Sequence, residues 1–251
     1  HQLLPHCRVV FHLASDSTPG STATQPALEA SANLLPTLRM LEVMQSYPQI
    51  PLVYASSGGA TYESTETARS EASPLAPLSY YGAGKVAIER FLHAYTHQFR
   101  GKVVVLRPSN LYGPGQAFKK GFGIVPTAFH HLLAGSPMEI WGDGKIVRDY
   151  LYIEDFTRLC ATIIDREFAP GSIAVYNAGS GVGSSINTIC ALAEEISGMK
   201  LARQFRHGRT VDSPSIVLDC EKARRELGWN AGVSLESGMK FTWDWHRQNA
   251  T

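Results

Sequence analysis

The stretch "SYYGAGKVAIERFLHAYTHQFRGKVVVLRPSN" (residues 79–110) passes from a helical pattern to a strand pattern, and the order of those two elements decides the fold. A helix is predicted from near Ser79 to about Phe99, and "KVVVLRPSN" reads as a short β-branched run of the kind that forms a buried parallel strand. Working backwards, "IPLVYASS" (residues 50–57) and "CRVVFHLAS" (residues 7–15) have the same character. Between them, "TQPALEASANLLPTLRMLEVMQSY" places Leu34, Leu38, Leu41 and Met44 at helical spacing. Strand, helix, strand, helix, strand predicts a doubly wound α/β domain: a parallel sheet covered on both faces.

Beyond "NLYGPGQ" glycine and proline punctuate the chain, with an amphipathic piece around residues 126–134 and a turn-rich "WGDGKIVRDYLYIEDF". "AVYNAGSG" predicts one more strand and "SINTICALAEEIS" a serine-capped helix. We therefore expect residues 1–115, with the strand near 172–180, to form the sheet domain, and residues 116–251 to be mainly a smaller lobe, leaving a cleft between them. The 251 residues are 44% hydrophobic and 18% charged, enough for a large core. A net charge of +1 from 23 basic and 22 acidic residues offers no field suited to nucleic acid. Cys7, Cys160, Cys190 and Cys220 are widely spaced, so reduced thiols and no metal site are expected. Without a run of about 18 apolar residues, no membrane span is predicted and the cytoplasm is the expected compartment.

Tyr81 and Lys85 lie four apart and share one helix face, whereas Tyr80 points round the cylinder. A phenol titrates near pH ~10, and a neighbouring ammonium favours its ionised form, so the pair can act as a proton acceptor. Alone, a tyrosine and a lysine at this spacing are more often an ordinary helix surface than chemistry.

Four further segments change that balance. "VVFHLAS", "VYASSGGATYE", "VVVLRPSNLYGPGQ" and "IWGDGKIVRDYLYIEDF", followed by "RTVDSPSIVLDCEKARRELGW", stand in order around the tyrosine. Together they resemble the extended short-chain dehydrogenase/reductase family, in its group of NAD-dependent nucleotide-sugar epimerases and dehydratases, over nearly the whole chain. The resemblance implies a partial Rossmann-type sheet with a nucleotide-sugar lobe. It makes Tyr81 the base, with Lys85 lowering its pKa and holding the nicotinamide ribose. Aligning the strand puts the catalytic hydroxyl on Ser57; counting back from Tyr62 puts that position at Gly58. For NAD it implies Ala14, Ser15, Asn33 and Pro108 besides Tyr81 and Lys85. For the substrate it implies Ser57, Asn110, backbone groups of Glu139 and Ile140 near uracil, Arg148 and Arg209 on the diphosphate, and Asp212. The family's dehydratases follow the hydroxyl with an Asp-Glu pair; this chain has Gly58 and Gly59. Epimerisation, at C4 of a UDP-hexose or UDP-N-acetylhexosamine through a 4-keto sugar, is therefore the expected reaction. A homodimer through residues 33–45 and 81–99 is also implied.

One departure stands out. The family's opening glycine-rich βαβ unit is not among these 251 residues, so the NAD site is expected to be incomplete and this chain as given to be a truncated, inactive form. A nucleotide-sugar ketoreductase, an epimerase of a diphospho-lipid-linked sugar and a non-catalytic binding protein of the same fold are the alternatives.

Overall fold

Alternation along a strand sends successive side chains to opposite faces, and in the computed structural model, which describes residues 2–18, 20–63, 67–208 and 213–249, it builds a separate core on each face of one sheet. Strands β1 (Val10–His12), β2 (Leu52–Ala55), β3 (Val103–Pro108) and β7 (Ile173–Ala178) lie in the order β1-β2-β3-β7, all parallel. Leu52, Tyr54, Val103 and Val105 pack under helices α2 (Leu35–Met44) and α4 (Tyr80–Phe99), against Leu41, Met44, Ile88, Leu92 and Tyr95. Val53, Val104 and Leu106 point the other way, against Phe156, Leu159 and Ile163 of α6 (Ile153–Ile164) and Ala223 and Leu227 of α8 (Glu221–Leu227). Helices from late in the chain thus cover one face of the sheet built mostly by its first half.

Helix α4 begins where the sequence places it. Ser79 is extended, and its hydroxyl accepts from the Gly82 N–H at 3.1 Å, satisfying one orphan donor of the first turn. The preceding helical segment is less regular. It opens with α1 (Pro26–Glu29), passes through a π-wound turn at Ala30–Leu34, and continues as α2. Pro36 has no N–H to donate to the carbonyl four residues before it, which accounts for the loosened turn, and Thr37 Oγ1 donates to the Asn33 carbonyl at 2.7 Å. Strand β1 is shorter than the run of residues 7–15 suggests, because β2, its one sheet neighbour among the described residues, offers partners only for Val10, Phe11 and His12.

A second sheet joins β4 (Asn110–Tyr112), β6 (Val147–Tyr152) and β10 (Ser215–Ile216) in parallel, with β8 (Gly183–Ser185) antiparallel to β6. A parallel pair, β5 (Met138–Trp141) and β9 (Arg203–Arg206), lies beside a third core. That core gathers Phe129 and Leu132 of α5 (Ile124–Ala134), Ile189 of α7 (Ile186–Ser197), and Met239 and Trp243 of α9 (Leu235–Gln248). The four cysteines are free thiols, and no described helix is long and apolar enough to cross a membrane.

Candidate active site

The carboxyl ends of β2 and β3 and the first turns of α4 converge on Tyr81. Ser57 follows β2 and stands at the start of a one-turn helix, α3 (Gly58–Thr61), with its hydroxyl close enough to the Tyr81 phenol to draw that group's pKa downwards. Lys85, one turn after Tyr81, is buried; its Nζ donates to the Ala55 carbonyl at 3.0 Å and lies 5.5 Å from the centre of the Tyr81 ring and 5.1 Å from that of Tyr54. Serine, tyrosine and lysine, brought from two elements, therefore form one cluster.

The two glycines after Ser57 differ in the room around them. A Cβ at Gly58 would meet Leu218 Cδ1 at 2.5 Å and the Arg107 carbonyl at 2.9 Å, so the position is closed to any side chain. Gly59 faces open space. Gly58→Ala is expected to cost about 1–3 kcal/mol through overpacking. Its melting temperature should fall by roughly 5 °C, with Gly59→Ala within about 1 °C of the parent as the control in the same thermal scan.

Burial pushes the Tyr81 phenol above its ordinary value, against the downward pull of Ser57, and Glu29 pushes it further up. Burial also pulls the Lys85 ammonium down to about 8, opposed by the carboxylates of Glu29 and Glu89. His12, at the end of β1, is pulled below the usual histidine range by burial and then by Lys85, and its Nε2 bonds Thr37 Oγ1 at 2.9 Å.

The remaining predicted residues fall into three groups. Ala14 and Ser15 are exposed just past β1. Asn33 is buried, and its side chain serves the loop there: Oδ1 accepts from the Asp16 N–H at 2.9 Å and from the Ser15 hydroxyl, while Nδ2 donates to Ser17 Oγ at 2.7 Å. Pro108 ends β3, followed by Ser109, whose hydroxyl is buried without a hydrogen-bond partner.

On the second sheet, Asn110 pairs with Tyr150 across β4 and β6, so Asn110 and Arg148, two residues before Tyr150, share a face. Asn110 Nδ2 donates to the Asp149 carbonyl at 3.0 Å, and Arg148 Nη1 to the carbonyls of Val147 and Ser213. Ile140 is buried in the third core, which leaves only its backbone for a ligand, and the Glu139 carboxylate is held by Arg206 at 2.7 Å. Arg209 and Asp212 lie outside the described residues.

Sequence reasoning missed two buried carboxylates beside the cluster, Glu29 and Glu89. Glu89 accepts from Ser56 Oγ at 2.5 Å and holds Arg107 through both oxygens, at 3.1 and 2.6 Å. Its spacing of four from Lys85 is the one available signal, and it reads as a surface pair.

Comparison with known proteins adds relatives to this geometry. The profile of the NAD dependent epimerase/dehydratase family matches residues 1–179. A UDP-glucose 4-epimerase of Mycolicibacterium smegmatis is 30% identical over 247 residues, which is 96% of this chain and 77% of that protein. The crystal structure of the Thermotoga maritima UDP-glucose 4-epimerase with UDP-glucose is 31% identical with a TM-score of 0.91, covering 98% of this chain and 79% of that one. The UDP-glucose 4-epimerase of Thermus thermophilus, in complex with NAD, is 29% identical with a TM-score of 0.90, covering 97% and 79%.

Proposed function

Because the chain belongs to the NAD dependent epimerase/dehydratase family, whose members are NAD-dependent enzymes acting on nucleotide sugars, we propose that its reaction is the epimerisation of a UDP-hexose or UDP-N-acetylhexosamine at C4. The observation that carries this reading is the Ser57–Tyr81–Lys85 cluster followed by a closed glycine position and an open one. Elimination of water needs an additional acid and base, and Gly58 and Gly59 supply neither.

The residues present fit the family's cofactor. Small, exposed Ala14 and Ser15 leave room at the end of β1, and the unpartnered Ser109 hydroxyl lies beside Pro108 at the end of β3. Ala14, Ser15, Pro108, Tyr81 and Lys85 would hold NAD, which when bound would accept the C4 hydride in the oxidation and give it back in the reduction. Tyr81 takes the proton of the C4 hydroxyl as the alcohol becomes a ketone, and Ser57 shares its hydrogen bond between phenol and sugar oxygen. After the 4-keto sugar has turned, Tyr81 returns the proton to the same oxygen on the other face. Asn110 and Arg148, on one sheet face, and Arg209 would receive the diphosphate; a guanidinium fork suits its oxygens. Glu139 and Ile140 contribute backbone groups to the base, and Asp212 a contact to the nucleotide. Exposed Leu35, Phe91 and Phe99 on α2 and α4 support a homodimer through those helices.

Incubation of the full-length protein with NAD and UDP-glucose, followed by NMR of the products, tests the reading. UDP-galactose is expected, approached equally from either sugar. A 4-keto-6-deoxy product, or net reduction with consumption of NADPH, would overturn it.

A further inference from the structure

Glu29 ends α1 with only 3% of its surface exposed. The π-wound turn after it sets Asn33 above it, and Asn33 Nδ2 donates to Glu29 Oε1 at 3.0 Å. Ser17 Oγ donates to Oε2 at 2.5 Å and Thr22 Oγ1 at 3.3 Å. Three donors surround the group, the pattern that suits an ionised carboxylate, which only accepts.

Its outer side meets the catalytic helix. A Cβ on Gly84 would lie 2.7 Å from Glu29 Oε1 and 3.0 Å from its Cγ, so the carboxylate closes on the turn between Tyr81 and Lys85 only because residue 84 is glycine. The charged and titratable groups around Lys85 are Tyr54 and His12 from the sheet, Tyr81 and Glu89 from its own helix, and Glu29 from α1. Two of these are carboxylates, and Glu89 already has a buried arginine, Arg107, on both oxygens. Glu29 has no cation within ion-pair distance among the described residues.

We propose that Glu29 is a positioning residue of the active site: it supplies the counter-charge that keeps Lys85 an ammonium, and through Ser17 and Asn33 it fixes the loop after β1 against the catalytic helix. A buried ammonium whose only hydrogen bond among the described residues is to a carbonyl needs an anion nearby, and α1 brings one to the side of α4 that carries both residues proposed to react. This rests on the reading that Tyr81 and Lys85 carry the chemistry, yet it can be tested apart from it.

In the full-length protein labelled with ε-13C lysine, the Lys85 resonance is assigned by its loss in Lys85→Arg. In Glu29→Gln it should titrate lower than in the parent by roughly half a pH unit or more. Gly84→Ala, which keeps the charge but pushes it back, should shift it in the same direction, and it carries the test if Glu29→Gln does not fold. Turnover that needs the ammonium is lost as pH rises through the Lys85 pKa, so the alkaline limb of kcat should move to lower pH while KM stays within about twofold. An unchanged Lys85 titration in the folded variants overturns the proposal, whether or not any sugar is converted. A shifted titration in a protein that converts no nucleotide sugar supports the role of Glu29 and overturns the epimerase reading alone.

Discussion

Tyr81→Phe is expected to lower kcat for nucleotide-sugar epimerisation by about 10³-fold, the upper part of what a positioned acid–base group contributes. The ring is retained, and with it the packing against Lys85, whose Nζ stands 5.5 Å from its centre; only the oxygen proposed to take and return the proton is lost. Ser57 cannot take over, because an alkanol hydroxyl is far more weakly acidic than a phenol and its role is to hold the hydrogen bond. Burial already holds the phenol above its ordinary value, which makes it a stronger base for the substrate proton once ionised. KM for the nucleotide sugar should stay within about twofold, since the diphosphate and base contacts are untouched. Steady-state assays of the full-length protein at saturating sugar, with the melting temperature as a folding control, provide the measurement. A variant within threefold of the parent would remove Tyr81 from the chemistry.

The helix that carries Tyr81 was legible because its signals are local: a serine cap and apolar residues that return every turn. The sheet was legible because its strands are buried on both faces and read as continuous apolar runs. Glu29 and Glu89 were not, for one physical reason. A glutamate in a helix among alanines and leucines has the pattern of a solvated face, and nothing within one turn reveals that Ser17, Thr22 and Gly84 enclose the first. Lys85 and Glu89, four apart, look like a surface ion pair, yet the fold gives the lysine to Ala55 and the glutamate to Arg107 and Ser56. The closure of position 58 likewise depends on tertiary contact, since Leu218 and the Arg107 carbonyl stand where a side chain there would lie. Spacing told which residues could meet; packing told which did.

The buried pair Arg107–Glu89 leads to the second large effect. Arg107 is 4% and Glu89 6% exposed, and the bidentate contact continues through Arg107 Nη1 to Tyr62 Oη at 2.8 Å and from Tyr62 to Asn177 Oδ1 at 2.6 Å. Asn177 in turn donates to the carbonyls of Arg69 and Asp219. Burial alone would pull the Arg107 guanidinium down, but the hydrogen bonds and charge of Glu89 hold it above its ordinary value, so the guanidinium stays charged. The network ties α4 to β3, to β7 and, through Ser56, to the residue before Ser57. Arg107→Met would leave the Glu89 carboxylate buried with only the Ser56 hydroxyl, a loss of about 3–5 kcal/mol. At this chain length that lowers the melting temperature by roughly 10 °C. Glu89→Leu added to Arg107→Met removes the stranded charge and should recover more than half of the loss, because a buried pair exchanged for apolar groups is often close to neutral. Turnover of the double variant should stay well below the parent even where its melting temperature returns, since Ser56 and the Lys85 turn of α4 would no longer be pinned to each other. Melting of Arg107→Met within 2 °C of the parent would show that the pair does not bear on stability, and full activity in the double variant that it does not position Ser57.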